Sequence, residues 1–168
     1  AIKSKHATPR MSDIVPDLTA LSLPTARLRH ILCWGVLMHV PAVENAVAEL
    51  ARVLAPGGHA FVNVPFLYGI HEAPHDYARY TEFGLRHFAQ ESGFDVVTLG
   101  ALGGSLEVMA DLMGKHLAQL PAVGAPLAAG LQGAVATFGR TAWGRRLAAR
   151  TAARFPLGYF MVATRPAR

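Results

Sequence analysis

Two spacings of apolar residues alternate along the chain and predict strands and helices in turn. Residues 30–36 (HILCWGV) form a continuous apolar run with β-branched and aromatic members, typical of a strand buried on both faces. After Pro41 the apolar residues recur at helical spacing, which predicts a helix with one face toward a core. Pro-Gly-Gly at residues 56–58 predicts the end of that helix, and residues 59–66 (HAFVNVPF) predict a second strand.

The rest of the chain continues this alternation. A loop rich in His, Pro and Asp is predicted at 67–80, and Thr81 is the predicted N-cap of a helix that stops at Gly93. The order is typical of an α/β fold with a mostly parallel sheet, in which ligands bind at the carboxyl ends of the strands. Segments 33–40 and 65–81 follow two strands and are therefore the predicted binding segments. The other predicted elements are strands at 94–99 and 158–164 and helices at 105–120 and 127–154.

The composition is that of one folded domain. The chain has 168 residues, 52% of them hydrophobic and 16% charged, so it can bury a core and does not resemble a disordered segment. The single cysteine, Cys33, excludes a disulfide scaffold within the chain and fits a reducing compartment. No apolar h-region follows Lys3, Lys5 and Arg10, so we expect a cytoplasmic location, with the inner face of the membrane as the alternative.

Positive charge is concentrated in the second half of the chain. The formal net charge is +5, and from Arg140 onward there are seven arginines and no acidic residue. Such a tail suits nucleic acid, anionic lipid or an acidic partner, or is a solvated basic surface. We expect no nucleic-acid partner.

A series of segments resembles the class I S-adenosylmethionine-dependent methyltransferases. In order, these are D-L-T-A-L-S-L-P (17–24), V-L-M-H-V-P (36–41) and A-E-L-A-R-V-L-A-P-G-G (48–58). V-P-F-L-Y-G-I-H-E-A-P-H-D-Y-A-R-Y-T (64–81) and the final L-G-Y-F-M-V-A-T-R-P (157–166) are similar to the bacterial methyltransferase type 11 branch. The resemblance implies a Rossmann-like doubly wound sheet with an antiparallel C-terminal strand.

The resemblance also implies an N-terminally truncated domain. The family's Gly-rich cofactor loop and the acidic residue after its second strand have no counterpart, since the first glycine is Gly35. We therefore expect one partial domain over residues 1–168, in which 1–28 is loosely packed. Its first predicted strand becomes a sheet edge, which offers a surface for homodimer formation. The predicted sheet core is 29–100 and 157–166, and 105–154 is a helical insertion or cap.

The implied activity is transfer of a methyl group from S-adenosylmethionine to a small-molecule, glycan-linked or lipid-linked acceptor. The resemblance places the cofactor beside five residues, although Asp17 is equally interpreted as a turn aspartate. One alternative is a non-catalytic binding module derived from a methyltransferase. Another is an NAD(P)-dependent enzyme that uses the glycine turn at 100–104. The five cofactor-binding candidates are Asp17, Leu18, Cys33, Trp34 and Gly35.

Histidines supply the candidates for catalysis. His39, His71, His75 and Asp76 follow the first two strands, and histidine can act as a base near neutral pH. Asp76 has the alternative role of pairing with Arg79 to hold the loop.

Residues 71–75 have the sequence H-E-x-x-H, a zinc-binding motif in which both histidines must lie on one continuous helix. Because Pro74 disfavours that helix, we expect no metal.

A stripe of large apolar side chains marks the first helix of the 105–154 segment. Core packing is the primary interpretation. The alternatives are a cap over the substrate site and peripheral contact with a membrane, aided by the arginines that follow. The stripe consists of Leu106, Met109, Met113, Leu117 and Leu120.

Overall fold

A four-stranded sheet forms the centre of the computed structural model, which describes residues 17–167. The sheet order is β1-β2-β4-β3; β1 pairs parallel to β2, and β4 pairs antiparallel to both β2 and β3. Strands β1, β2 and β3 thus run in one direction, which confirms the α/β fold with an antiparallel C-terminal strand. The strands are β1 (Leu28–Trp34), β2 (Leu54–Pro65), β3 (Asp95–Leu102) and β4 (Gly158–Thr164).

Five α-helices connect these strands in the described part of the chain. A short 3-10 turn at Leu37–His39 follows β1. The helices are α1 (Val43–Val53), α2 (Glu82–Glu91), α3 (Ser105–Leu117), α4 (Gly124–Gly139) and α5 (Ala142–Thr151). Of the N-terminal segment predicted to be loosely packed, residues 1–16 lie outside the described residues.

The core lies between the sheet and the helices α1 and α2. The predicted apolar stripe of α1 is buried, including Ala46, Leu50 and Val53. Helix α2 begins as predicted, because the Thr81 side chain accepts a hydrogen bond from the backbone N–H of Gly84 at 3.2 Å. The α2 end is also as predicted, since Gly93 has the positive φ of +74° that favours glycine.

Two predicted boundaries are wrong. The single helix expected over 127–154 is split into α4 and α5, because the hydroxyl of Thr141 caps a new helix by accepting from the N–H of Gly144 at 3.0 Å. Pro-Gly-Gly does not separate α1 from β2, since β2 starts at Leu54. The pairing of β2 with β1 is irregular at this Pro-Gly-Gly sequence, where Gly57 has a φ of +73°.

Within residues 17–167, strand β1 forms one edge of the sheet. The N-terminal truncation itself stays a prediction. Leu32 is 71% exposed and Trp34 is 59% exposed along this strand. Pairing of two chains through this edge stays a prediction.

Helices α3, α4 and α5 pack on one another rather than into the core. In the described residues the core cluster contains no member of these helices. The core role expected for the α3 stripe is wrong, because Met109 and Met113 are more than half exposed. The buried positions of α3 include Ala110 and Gly114 instead, since α4 approaches closely: a Cβ on Gly114 would lie 2.9 Å from Gln132 Nε2. No helix among residues 17–167 has both the length and the apolar character to cross a membrane.

Candidate functional site

A cavity of about 220 Å³ opens at the edge of the sheet where β1, β2 and β3 end. Pro65 closes β2 and Leu102 closes β3, and both contribute to the cavity wall. Met38, from the turn after β1, adds a further apolar surface. The cavity therefore lies where the crevice of a doubly wound sheet binds its ligands.

Polar groups are few in this cavity and come from three side chains. Asn63 points from the end of β2, and its amide nitrogen donates to the Tyr159 carbonyl at 3.4 Å. Tyr68 and His71 come from the loop between β2 and α2. A mostly apolar wall with a few polar groups is typical of a site for a small organic ligand.

Asp76 holds this loop in place. Its side chain is only 2% exposed and accepts two hydrogen bonds from the Arg79 guanidinium and one from the His71 backbone N–H. Arg79 also donates to the carbonyls of Tyr68 and Gly69, so it joins both ends of the loop. Hydrogen bonds from Arg79 are the main reason that the pKa of Asp76 lies well below its ordinary value. The predicted Asp76–Arg79 pair is therefore present.

His71 combines access to the cavity with a carboxylate behind its ring. The Nδ1 atom of His71 is buried, and it lies 3.4 Å from Oδ2 of Asp76. It has no hydrogen-bond partner among residues 17–167. The rings of His39 and Tyr68 pack edge-on against it, with centroids 4.9 and 5.2 Å away. A histidine in the wall of a cavity, with a carboxylate 3.4 Å from its Nδ1, is a candidate general base.

The other two histidines, His39 and His75, do not line the cavity. Nδ1 of His39 donates to the carbonyl of His75 at 2.6 Å, which places the His39 ring beside His71. His75 is exposed, shares a hydrogen bond with the Tyr77 hydroxyl at 2.9 Å, and lies outside the set of residues that line the cavity. Of the three predicted bases, only His71 reaches the cavity directly.

Three cofactor-binding candidates lie at the carboxyl end of β1. Cys33 is buried in the core, and this burial raises the pKa of its thiol to about 11. Trp34 presents an exposed ring 6.3 Å from the ring of Phe160. Gly35 has a φ of +62°, a conformation that other residues rarely adopt, and its N–H donates to the Asn63 carbonyl at 3.0 Å.

The other two candidates lie before β1. Oδ1 of Asp17 accepts hydrogen bonds from both the backbone N–H and the hydroxyl of Thr19, at 2.9 and 2.7 Å. The Thr19 hydroxyl is the main cause of a lowered pKa at Asp17. This geometry is that of a turn aspartate, and an adenine contact stays a prediction. Leu18 packs against the core.

The glycine turn at 100–104 does not form a phosphate-binding loop. The N–H of Gly104 is taken by the Glu107 carboxylate at 2.9 Å, and that of Ser105 by the Thr151 hydroxyl at 3.0 Å. A Cβ on Gly104 would lie 2.5 Å from the same hydroxyl. Helix α5 therefore fills the space beside this turn, and the Glu107 carboxylate occupies the position where a phosphate would bind. Both contacts argue against an NAD(P)-dependent enzyme.

Residues 71–75 form an irregular turn, so the two histidines of the H-E-x-x-H pattern are not one helical turn apart. Across residues 17–167, no group of three or more His, Cys, Asp or Glu side chains is placed to hold a metal.

Sequence reasoning missed Asn63 and Tyr68. Asn63 did carry a signal, since it is the one amide side chain in an otherwise apolar strand sequence, HAFVNVPF. Tyr68 carried none that distinguishes it from other loop aromatics. Its ring lies beneath the Lys115 ammonium, which is 3.2 Å from the ring centroid, a contact made only by the packing of α3.

Comparisons with known proteins bear on both sequence and fold. The family described as "Methyltransferase domain" matches residues 2–62. A comparison with curated proteins gives no match.

Three solved structures illustrate the fold. A [4+2]-cyclase, SpnF, is 19% identical over 91% of this chain and 55% of its own, with a TM-score of 0.54. A 1,6-didemethyltoxoflavin-N1-methyltransferase from Burkholderia thailandensis, solved with S-adenosylhomocysteine, is 16% identical over 91% of this chain and 50% of its own, with a TM-score of 0.52. A Bacillus halodurans protein described as a putative methyltransferase is 14% identical over 90% of this chain and 76% of its own, with a TM-score of 0.51. The chain thus spans about half the length of the first two.

Proposed function

We propose that the protein is an S-adenosylmethionine-dependent methyltransferase. Two findings support this proposal: residues 2–62 match the family described as a methyltransferase domain, and the fold is that of the class I methyltransferases. The observation that carries the proposal is the cavity at the carboxyl ends of the strands, with His71 in its wall. Its volume of about 220 Å³ is below the roughly 300–1,000 Å³ of pockets for drug-sized ligands, so it suits a smaller organic acceptor, or the end group of a glycan- or lipid-linked one.

The end of β1 fits the cofactor. Gly35 supports this fit, because a Cβ at this position would make only an ordinary van der Waals contact, at 3.9 Å with the Met38 side chain, so a ligand can approach the backbone there. The exposed ring of Trp34 adds a surface for stacking. When bound, S-adenosylmethionine supplies an activated methyl group on a sulfonium.

His71 and the cavity wall act on the acceptor. The apolar surfaces of Met38 and Leu102 exclude water and align the acceptor, which is the main requirement of an in-line displacement. Nε2 of His71 takes the proton that an oxygen or nitrogen acceptor gives up. Asp76 lies behind Nδ1 and stabilises the charged ring that results.

Binding of S-adenosylhomocysteine to the intact protein, measured by calorimetry, tests the cofactor assignment. We expect micromolar binding by the wild type and at least tenfold weaker binding by Gly35→Val. Gly93→Val is the matched control: Gly93 also has a positive φ, of +74°, and open space around it, but it lies at the end of α2. Equal losses in both variants, or no binding by the wild type, would contradict the assignment.

Transfer itself is measured with S-adenosylmethionine labelled in its methyl group and a panel of hydroxylated and amino-bearing small molecules. The [4+2]-cyclase shows why this second measurement is needed, since a protein of this fold can carry another reaction. Binding without transfer to any member of the panel would favour the non-catalytic module instead.

A further inference from the structure

Helix α5 presents a face in which aromatic, aliphatic and cationic side chains alternate. Trp143, Arg146, Leu147 and Arg150 follow the spacing i, i+3, i+4, i+7 and so lie on one side of the helix. Together with Phe138 from the end of α4 they surround a surface cavity of about 340 Å³. We call these five residues the arginine–tryptophan face.

This face is outward because the opposite side of α5 has no room for large side chains. A Cβ on Gly144 would lie within 2.1 Å of the Phe138 carbonyl oxygen. Ala148 and Thr151 lie against the N-terminal end of α3, where the Thr151 hydroxyl accepts from the Ser105 N–H. The helix therefore points its small residues inward, while Trp143 is 74% exposed. This is the reverse of the usual arrangement for a helix that packs on a core.

Helices α4 and α3 also carry exposed apolar side chains. Helix α4 has 16 residues without a charged side chain, and its buried positions are only Gly124 and Ala128. Leu127 of α4 and Met109 and Met113 of α3 are about half exposed or more. Large apolar side chains exposed on three neighbouring helices favour a site of interaction with a membrane or another macromolecule.

Charge decides between the candidate partners. Residues 140–154, which include α5, hold five arginines and no acidic residue. A second copy of the chain would bring like charges together and is disfavoured. Nucleic acid would satisfy the arginines but offers no hydrocarbon for the apolar surface. An anionic bilayer offers both, with headgroup phosphates for Arg146 and Arg150 and an acyl boundary for Trp143.

We propose that the arginine–tryptophan face and the adjoining apolar surface of α4 dock the protein on an anionic phospholipid bilayer. The helices lie in the interface without crossing it, consistent with the absence of a spanning helix among residues 17–167. This inference stands independently of the proposed methyl transfer.

The test is flotation of the intact protein with vesicles of phosphatidylcholine alone and of phosphatidylcholine with about 30% of the anionic lipid phosphatidylglycerol. We expect partitioning into the anionic vesicles at least tenfold stronger than into the neutral ones, and weakening with added salt. The double variant Arg146→Ala/Arg150→Ala should lose about fivefold in partitioning for each arginine. Trp143→Ala should lose about tenfold.

Matched controls come from α2 and from Arg27, which directly precedes β1. Phe83, on α2, is 74% exposed like Trp143, so Phe83→Ala removes an equally exposed aromatic ring elsewhere. Arg27→Ala/Arg86→Ala removes two exposed arginines from outside α5. Both controls should float like the wild type, and circular dichroism should show equal helix content in all variants.

Three results would overturn the proposal. The first is equal partitioning of the control and α5 variants, which would mean that net charge alone is responsible. The second is no binding to anionic vesicles by a folded wild type. The third is a stable dimer in light scattering that Trp143→Ala dissociates, which would assign the face to a second copy of the chain.

Discussion

Both carboxylate oxygens of Asp76 accept hydrogen bonds from the guanidinium of Arg79, three residues along the same loop. The pair fixes the loop that carries His71, because Asp76 also accepts the His71 N–H while Arg79 reaches back to Tyr68 and Gly69. The Asp76–Arg79 pair therefore sets the position of His71, although neither Asp76 nor Arg79 lines the cavity.

Breaking this pair should loosen the loop and lower stability. We expect Arg79→Ala to reduce the free energy of unfolding by about 2 kcal/mol, because it leaves a carboxylate that is 2% exposed without its main partner. Urea titration followed by circular dichroism measures the loss. An exposed arginine such as Arg86 serves as the control, and equal effects of Arg86→Ala and Arg79→Ala would contradict the role of the pair.

The same pair predicts a dependence of stability on pH. The pKa of Asp76 is lowered in the folded state, so in acid the unfolded chain binds the proton more readily. The stabilisation is therefore fully present above the ordinary carboxyl value of 3.8 and is lost as the pH falls below it toward the folded-state pKa. Asp76→Asn should show a flatter decline of unfolding free energy below about pH 5 than the wild type. Parallel curves for the two proteins would rule this out.

Histidine substitutions test the proposed base. We expect His71→Ala to lower kcat at least about tenfold in the intact protein, since a general base contributes roughly 10²–10⁴-fold. His75→Ala should have a smaller effect, because the His75 ring lies outside the cavity wall. His59→Ala should leave kcat unchanged, since His59 lies on β2 four residues before Asn63 and roughly 13 Å from that end of the strand. Equal, small effects at all three positions would mean that alignment alone accounts for the chemistry.

Gly100, in strand β3, and Gly104, at the N-cap of α3, should differ in their tolerance of alanine. Gly104→Ala places a methyl group 2.5 Å from the Thr151 hydroxyl and should cost about 1–3 kcal/mol of unfolding free energy by pushing α5 away. Gly100→Ala meets nothing within 4 Å and should be within about 0.5 kcal/mol of the wild type. Thermal unfolding of both variants measures the difference. A tolerated Gly104→Ala would mean that α5 does not fill the turn.

Cys33 should be chemically silent in the folded protein. Burial raises the pKa of its thiol to about 11, so near pH 8 the reactive thiolate is scarce as well as covered. We expect alkylation by iodoacetamide at pH 8 to be at least about tenfold slower than in urea, as followed by mass spectrometry. Rapid alkylation of the native protein would show that the end of β1 opens.

Much of the architecture follows from local chemistry that the sequence alone reveals. The spacing and length of the apolar runs in the sequence locate β1, α1 and β4. Thr81 and Gly93 set the limits of α2, because capping depends only on neighbouring backbone groups. The rule that ligands bind at the carboxyl ends of strands then predicts where the cavity lies before any contact is known. The Asp76–Arg79 pair, three residues apart, was predictable for the same reason.

Tertiary packing decided what depends on residues far apart in the chain. His71 is distinguished from His75 by the cavity formed with Met38 and Leu102, and neither partner is near it in sequence. The exposure of the apolar stripe on α3 is likewise decided by α4, whose close approach favours Gly114 over the methionines. Helical spacing states which side chains share a face, whereas the space available on each side determines which face is turned inward.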